Sequence, residues 1–308
     1  MMRGLDERRN LFVDIAGSLC AIATPFDEHG GLDLAAFGRL IDRQLDGGTQ
    51  GIVVAGSTGE AHMLDESDYE RLLVFAVERI AHRVPVIAGT GEAATAKTVA
   101  LTHRAKALGV GAALVVTPYY VRPTQDGLRR HFTEVATRGG LPVLMYNVPS
   151  RTGCDMQPET VADLRDSAGI IGIKEAVGTP ERIAAIVQLQ RPGFVYLSGD
   201  DGSAVDAMLA GAGGVVSVVN NLIPEVFRAL CDAARGGDRT TATQHAQRIA
   251  PLLDALNCAP NPIAVKAGLA EMGLCGATLR LPLLELAHGP ARTRLRETLS
   301  ALAGAVTP

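Results

Sequence analysis

The stretch IIGIKEAVG (170–178) runs through Ile170, Ile171, Gly172 and Ile173 and then stops on Lys174. A short aliphatic run bounded by glycine reads as a strand buried on both faces, as in a parallel sheet. Ending such a strand on lysine calls for a reason. The chain has 29 basic residues, of which only Lys97, Lys106, Lys174 and Lys266 are lysines. Arginine stays protonated in proteins, whereas a desolvated lysine can lose its proton and become a nucleophile. A buried stem with a solvated ammonium is the plainer alternative. The strand alone leaves both open. With strict alternation, Lys174, Gly172 and Ile170 share one face and Ile171 and Ile173 the other. Gly172 would then leave room beneath the amine.

Seven similar runs flank this one: SLCAIAT (18–24), GIVVAGS (51–57), PVIAGT (85–90), ALVVTP (113–118), PVLMYN (142–147), FVYLSGD (194–200) and GVVSV (214–218). Between them lie helical patterns. Residues 65–83 place Leu72, Leu73, Ala76, Val77 and Ile80 at helical spacing behind an acidic first turn. Residues 94–109 stop at a glycine, and 158–169 open on proline. Eight strand–helix alternations predict an α/β fold, a (β/α)8 TIM barrel, over an open doubly wound sheet. After about residue 237 the pattern is helical throughout. Asn261 is expected as an N-cap with Pro262 at the first helical position, and a last helix is expected near 290–304. The predicted organisation is an N-terminal extension (1–16), a barrel (17–237) and a small C-terminal helical domain (238–308).

The hydrophobic fraction of 47% is enough for a large core, and the net charge of −4 argues against nucleic acid or an anionic membrane as a partner. No apolar run approaches the ~20 residues of a membrane span. The N-terminus is charged and has no apolar core of a secretory signal. Cys20, Cys154, Cys231, Cys258 and Cys275 are widely spaced and odd in number, which suits free thiols in the cytoplasm. The histidines form no metal-binding pattern.

Barrel enzymes carry their active sites at the C-terminal ends of the strands. The unusual polar residues fall there: Ser57 and Thr58 in GSTGE, Tyr119 and Tyr120 in TPYY, Tyr146 with Arg151 close behind, Lys174, Gly199 in SGDD, and Val216 and Ser217 on the eighth strand. Each has an ordinary structural explanation by itself. Together they offer an amine nucleophile, hydroxyls that can relay protons, and a glycine-rich loop whose N–H groups can hold a carboxylate. That set suits Schiff-base chemistry on a 2-oxo acid.

GSTGE, TPYYVRPTQDGL, YNVPSRTGCD, GIKEA and SGDD, in this order and spacing, resemble the dihydrodipicolinate synthase and N-acetylneuraminate lyase superfamily, from about Gly17 to about Leu286. Arg151 in PSRTG favours its synthase branch, in lysine and diaminopimelate biosynthesis. The resemblance implies that Lys174 forms a Schiff base with pyruvate. Thr58, with the backbone around Ser57, would hold the pyruvate carboxylate. Tyr146, Ser57 and Tyr120 would form a proton relay, with Tyr120 crossing a dimer interface. Arg151 would bind the carboxylate of aspartate semialdehyde, and Gly199 and the main chain at Val216 would line the pocket. No metal or organic cofactor is implied, and the implied assembly is a homotetramer, a dimer of dimers. Ser57 stands where synthases mostly carry threonine, and SVVNN (217–221) replaces the more usual SVTAN. In members inhibited by lysine, the effector sits at the dimer interface between an amide and an acid. Ala93 and Lys97 occupy those positions here, with His62 and Glu66 also changed, so little or no feedback inhibition is expected.

Three other readings compete. An aldolase cleaving N-acetylneuraminate or a 2-keto-3-deoxy sugar acid would want hydroxyl partners where Arg151 stands. A dinucleotide-binding protein is suggested by GTGEAA (89–94), but the next strand lacks the acidic residue such a site needs. A catalytically silent oxo-acid binder would have no use for the set Lys174, Tyr146 and Tyr120.

Overall fold

The computed structural model describes residues 15–304. The predicted extension therefore lies almost wholly outside the described residues. Eight strands run β1 Gly17–Ala21, β2 Gly51–Val54, β3 Val86–Gly89, β4 Ala112–Val116, β5 Val143–Asn147, β6 Ile170–Glu175, β7 Val195–Ser198 and β8 Gly214–Ser217. All neighbours pair in parallel, and β8 pairs with β1 to close the barrel. Nine helices follow or link the strands: α1 Leu34–Asp46, α2 Glu66–Ile80, α3 Thr95–Ala107, α4 Gln125–Arg138, α5 Pro149–Thr152, α6 Pro158–Leu164, α7 Pro180–Val187, α8 Ala204–Leu209 and α9 Pro224–Arg235. The C-terminal segment adds α10 Arg239–Leu256, α11 Ile263–Glu271 and α12 Pro290–Gly304. The expected boundary at 237/238 falls in the turn between α9 and α10, where Asp238 caps α10 by accepting from the Thr241 N–H.

Alternation along each strand divides the core into two layers. Leu19, Val53, Ile87, Leu114, Leu144, Leu197 and Val216 fill the barrel. Cys20, Ile52, Val54, Ala113, Met145, Ile173 and Val215 pack outward under the helices. The seam between β8 and β1 is stapled by the segment that carries the unusual SVVNN. The Asn221 side chain accepts from Ala23 N–H and donates to the Ala21 carbonyl, at 2.9 and 2.8 Å. Asn220 donates to Ser18 Oγ at 3.0 Å. Buried amides of this kind satisfy the backbone groups left over where the strands end.

Strict alternation fails in β6. Its register against β5 shifts, so that Val143 faces Ile170 while Leu144 faces Gly172. Ile171 is the extra residue of a bulge. Ile170 therefore packs on the helix side and Ile171 against the barrel interior, the reverse of the expectation. Beyond the bulge, Ile173 points outward and Lys174 inward as expected. Gly172 does not make room for the amine either. A Cβ there would lie 2.3 Å from the Val195 carbonyl oxygen, so glycine is required by the close approach of β7.

Asn261 is not an N-cap. Helix α11 begins after Pro262 without a side-chain cap. The Asn261 side chain turns instead to the barrel rim, where Nδ2 donates to Thr58 Oγ1 at 2.9 Å.

Candidate active site

At the C-terminal ends of the strands lies a cavity of about 710 Å³, walled by the β2 loop, the ends of β5 to β7, α5 and the segment from α10 to α11. It contains Ser57, Thr58, Tyr146, Arg151, Lys174 and Gly199 of the residues expected from the sequence. Lys174 is 5% exposed. Its Nζ sits 4.2 Å from the centre of the Tyr146 ring. Burial lowers the Lys174 pKa to about 8; Asp201 acts to raise it, and Arg151 adds to the lowering. Burial also raises the Tyr146 phenol to about 12. The pair is thus an amine near its titration point under a protonated phenol.

Room for the lysine comes from the residue that follows β7. A Cβ on Gly199 would lie 3.0 Å from Lys174 Cε and 3.1 Å from Cγ. The direction of Lys174 is held by its neighbour in sequence. Glu175 points to the opposite side, where its carboxyl accepts from Val177 N–H (2.8 Å), Asn147 Nδ2 (3.0 Å) and Arg182 (3.1 Å). Burial pushes the Glu175 carboxyl up to about 7 despite these partners.

The β2 loop is shaped for an anion. Ala55 and Glu60 adopt the left-handed backbone conformation, with φ of 52° and 54°. Gly89 allows this, since a Cβ there would lie 2.0 Å from the Ala55 carbonyl oxygen. Glu60 N–H and Ala61 N–H close the turn onto the carbonyls of Ser57 and Gly56. The amides of Ser57 and Thr58 are left for a ligand among the described residues, and such N–H groups on a tight turn bind carboxylates. The loop is anchored from beneath by a salt bridge between Lys266 Nζ and Glu60 Oε1, at 2.7 Å with both side chains fully buried. Glu60 Oε2 accepts from the Arg280 N–H at 3.0 Å.

Arg151, on α5, reaches over the mouth and donates to the Asn261 carbonyl at 2.9 Å. Two expected residues lie elsewhere. Val216 is buried in the barrel interior, below the cavity, and Val218 forms the wall on that side. Tyr120 is 91% exposed, with φ of 72°, and does not line the cavity of its own chain. Among the described residues no hydrogen bond links Ser57, Tyr146 and Tyr120, so the relay is not closed within one chain. Tyr119 lies nearer: its hydroxyl donates to Glu92 at 2.9 Å, and its ring meets His62 edge-on. Glu66, Glu92 and Lys97 line the outer part of the same cavity.

Two residues were missed in the sequence. Asp201 is the acid that acts on Lys174, and its Oδ2 accepts from the N–H groups of Val218 and Val219, at 3.0 and 2.9 Å. It stands inside SGDD, but its place beside Lys174 had no sequence signal. Asn261 carried a signal that pointed to a helix cap. Among the described residues no group of three or more His, Cys, Asp or Glu side chains could hold a metal ion. No described helix is long and apolar enough to cross a membrane.

A lysine amine buried at the C-terminal rim of a closed parallel barrel, under a phenol and beside an anion-binding turn, defines a protein equipped for imine chemistry on a small oxo acid. The sequence profile of the Dihydrodipicolinate synthetase family matches residues 14–302, and the chain belongs to that family. A protein of Xanthomonas axonopodis pv. citri (strain 306) named 4-hydroxy-tetrahydrodipicolinate synthase is 54% identical over 292 residues, covering 94% of this chain and 96% of that one. The crystal structure of the chloride-inhibited dihydrodipicolinate synthase from Acinetobacter baumannii, complexed with pyruvate, superposes with a TM-score of 0.91 at 39% identity, covering 94% and 99% of the two chains. A monomeric dihydrodipicolinate synthase variant superposes with a TM-score of 0.91 at 37% identity, covering 94% and 97%.

Proposed function

We propose that this chain condenses pyruvate with L-aspartate 4-semialdehyde to give 4-hydroxy-tetrahydrodipicolinate, in lysine and diaminopimelate biosynthesis. The observation that carries the reading is the buried Lys174 amine, with its pKa brought down to about 8 and the Tyr146 ring 4.2 Å away. The free amine adds to the keto carbon of pyruvate, and loss of water leaves an imine to Lys174. Thr58 and the amides of Ser57 and Thr58 hold the carboxylate. A proton leaves the methyl carbon to give an enamine, and its carbon attacks the aldehyde of the second substrate. Tyr146, with Ser57 and Tyr120, carries protons to and from the reacting atoms. Arg151 holds the carboxylate of the semialdehyde. The substrate's amine then adds to the imine carbon and releases Lys174 as the ring closes. Gly199 gives the lysine its space. Tyr120 acts in the site of a neighbouring subunit, in a homotetramer built from dimers, which accords with its exposure on one chain.

The test is turnover of pyruvate plus aspartate semialdehyde, coupled to a downstream reductase and read as loss of NADPH. Lys174→Ala abolishes turnover. Arg151→Ala raises the KM for the semialdehyde about 10- to 100-fold, as expected for losing a hydrogen bond to a charged group. Tyr120→Phe lowers turnover while borohydride still traps pyruvate on Lys174. Absence of turnover in the unaltered protein, with trapping intact, would keep the imine chemistry and move the aldehyde to a sugar acid.

A further inference from the structure

We propose that Asn261 is a positioning residue of this site, directing the proton of the Thr58 hydroxyl and seating the Arg151 guanidinium. The proposal rests on the reading of Thr58 and Arg151 as the two carboxylate receptors.

Asn261 lies in the C-terminal helical segment and lines the cavity. Its Nδ2 donates to Thr58 Oγ1 at 2.9 Å, and its backbone carbonyl accepts from Arg151 NH2 at 2.9 Å. A hydroxyl has one proton and two lone pairs. With one lone pair occupied by the amide, the Thr58 proton is free to point at a bound carboxylate. Thr58 is 2% exposed, so bulk water does not set its rotor. Held this way round, the amide leaves Asn261 Oδ1 buried without a donor among the described residues. An unmet buried acceptor is unusual in a native structure, and one that lines a cavity can take a donor from water or a bound ligand.

The Arg151 contact has a comparable logic. A guanidinium seated on a neutral carbonyl is oriented without losing its charge to a protein carboxylate, so that charge remains for an incoming anion. One residue thus registers a hydroxyl from the β2 loop against a cation from α5. The segment that delivers it is fixed to the same β2 loop by the Lys266–Glu60 salt bridge.

The test reads the pyruvate dependence of borohydride trapping on Lys174, which needs no second substrate. Asn261→Ala raises the half-saturating pyruvate concentration about tenfold, in line with losing one oriented hydrogen bond to an anion. Thr58→Val produces a similar rise, and the double variant shows no further rise, because both remove the same contact. Asn261→Asp separates positioning from packing. The side chain is isosteric but cannot donate, so Thr58 must turn its proton toward it, and the added charge repels pyruvate. Its half-saturation therefore rises above that of Asn261→Ala; an aspartate milder than alanine would mean that the side chain acts by packing alone. In steady state, Asn261→Ala shifts the KM for pyruvate more than that for the semialdehyde, since the carbonyl that seats Arg151 remains. Asn261→Asp also serves if the alanine variant does not fold. Half-saturation within twofold of the unaltered protein, an aspartate variant milder than alanine, or effects that multiply in the double variant would each overturn the proposal. Failure of the unaltered protein to trap pyruvate would remove the imine reading and this proposal together. Trapping without turnover of the semialdehyde would remove only the second substrate.

Discussion

Lys174 has to be uncharged to attack a carbonyl, and burial is what lowers its pKa to about 8. At pH 7 roughly a tenth of the amine is free, and each unit below pH 8 reduces that fraction about tenfold. The value of kcat/KM for pyruvate therefore rises with pH up to about 8 and levels off above it. Arg151 disfavours the ammonium and so holds the lysine pKa down. In Arg151→Ala the levelling point moves to higher pH, because the lysine keeps its proton longer. A profile already flat between pH 6 and 8 would show that the amine does not titrate in this range. Gly199 belongs to the same balance, since any larger side chain there would push the lysine stem toward the cavity.

At the scale of elements, the active site depends on a segment outside the eight strand–helix units. The β2 loop meets α11 through a salt bridge between two side chains that are 0% exposed, and Lys266 Nζ also lies 4.3 Å from the centre of the Phe26 ring. A buried pair of this kind contributes little over an apolar replacement, but removing one partner strands the other charge. Lys266→Met is expected to lose about 3–5 kcal/mol of stability, measured by urea denaturation. Glu60→Gln combined with Lys266→Met recovers part of that loss, because the stranded carboxylate is gone. A Lys266→Met protein as stable as the parent would mean that Glu60 is satisfied without the ammonium. The bulge in β6 acts at the same scale. It absorbs Ile171 beneath the site and leaves Lys174 on the inner face.

At the scale of the whole molecule, one face of the chain presents Tyr120 and Val121, 91% and 56% exposed, on a loop held in the left-handed conformation at Tyr120 and Arg122. In the homotetramer proposed above, this loop is the part that would meet a neighbouring subunit. The same cavity is also lined by His62, Glu66, Glu92 and Lys97, beyond Lys174. Glu92 is engaged by Tyr119, and Glu66 by Arg104 at 2.9 Å, while Lys97 adds a cation to the same wall. A cationic effector gains little there. Turnover is expected to be unchanged by L-lysine up to millimolar concentration. Half-inhibition below one millimolar would refute this.

The eight strands, most of the helix positions, the closed barrel and the rim that carries Ser57, Thr58, Tyr146, Arg151, Lys174 and Gly199 were all legible in the amino-acid order. These are local signals, because strand periodicity, turn glycines and motif spacing are written into short stretches of chain. The rest was settled by contacts between segments far apart in the chain. The bulge that reverses Ile170 and Ile171 is a register shift of β6 against β5, a pairing between strands. Room for the lysine comes from Gly199, which follows the neighbouring strand, and not from Gly172 on its own. Asn261 reads locally as a helix cap, yet its side chain is taken by Thr58, distant in sequence. The Lys266–Glu60 pair matters through burial and Asp201 through its place beside Lys174, neither of which a short stretch records. Each of these outcomes was set by which distant groups were brought together in a space closed to water, where an unpaired polar group is costly and a charge must find its partner.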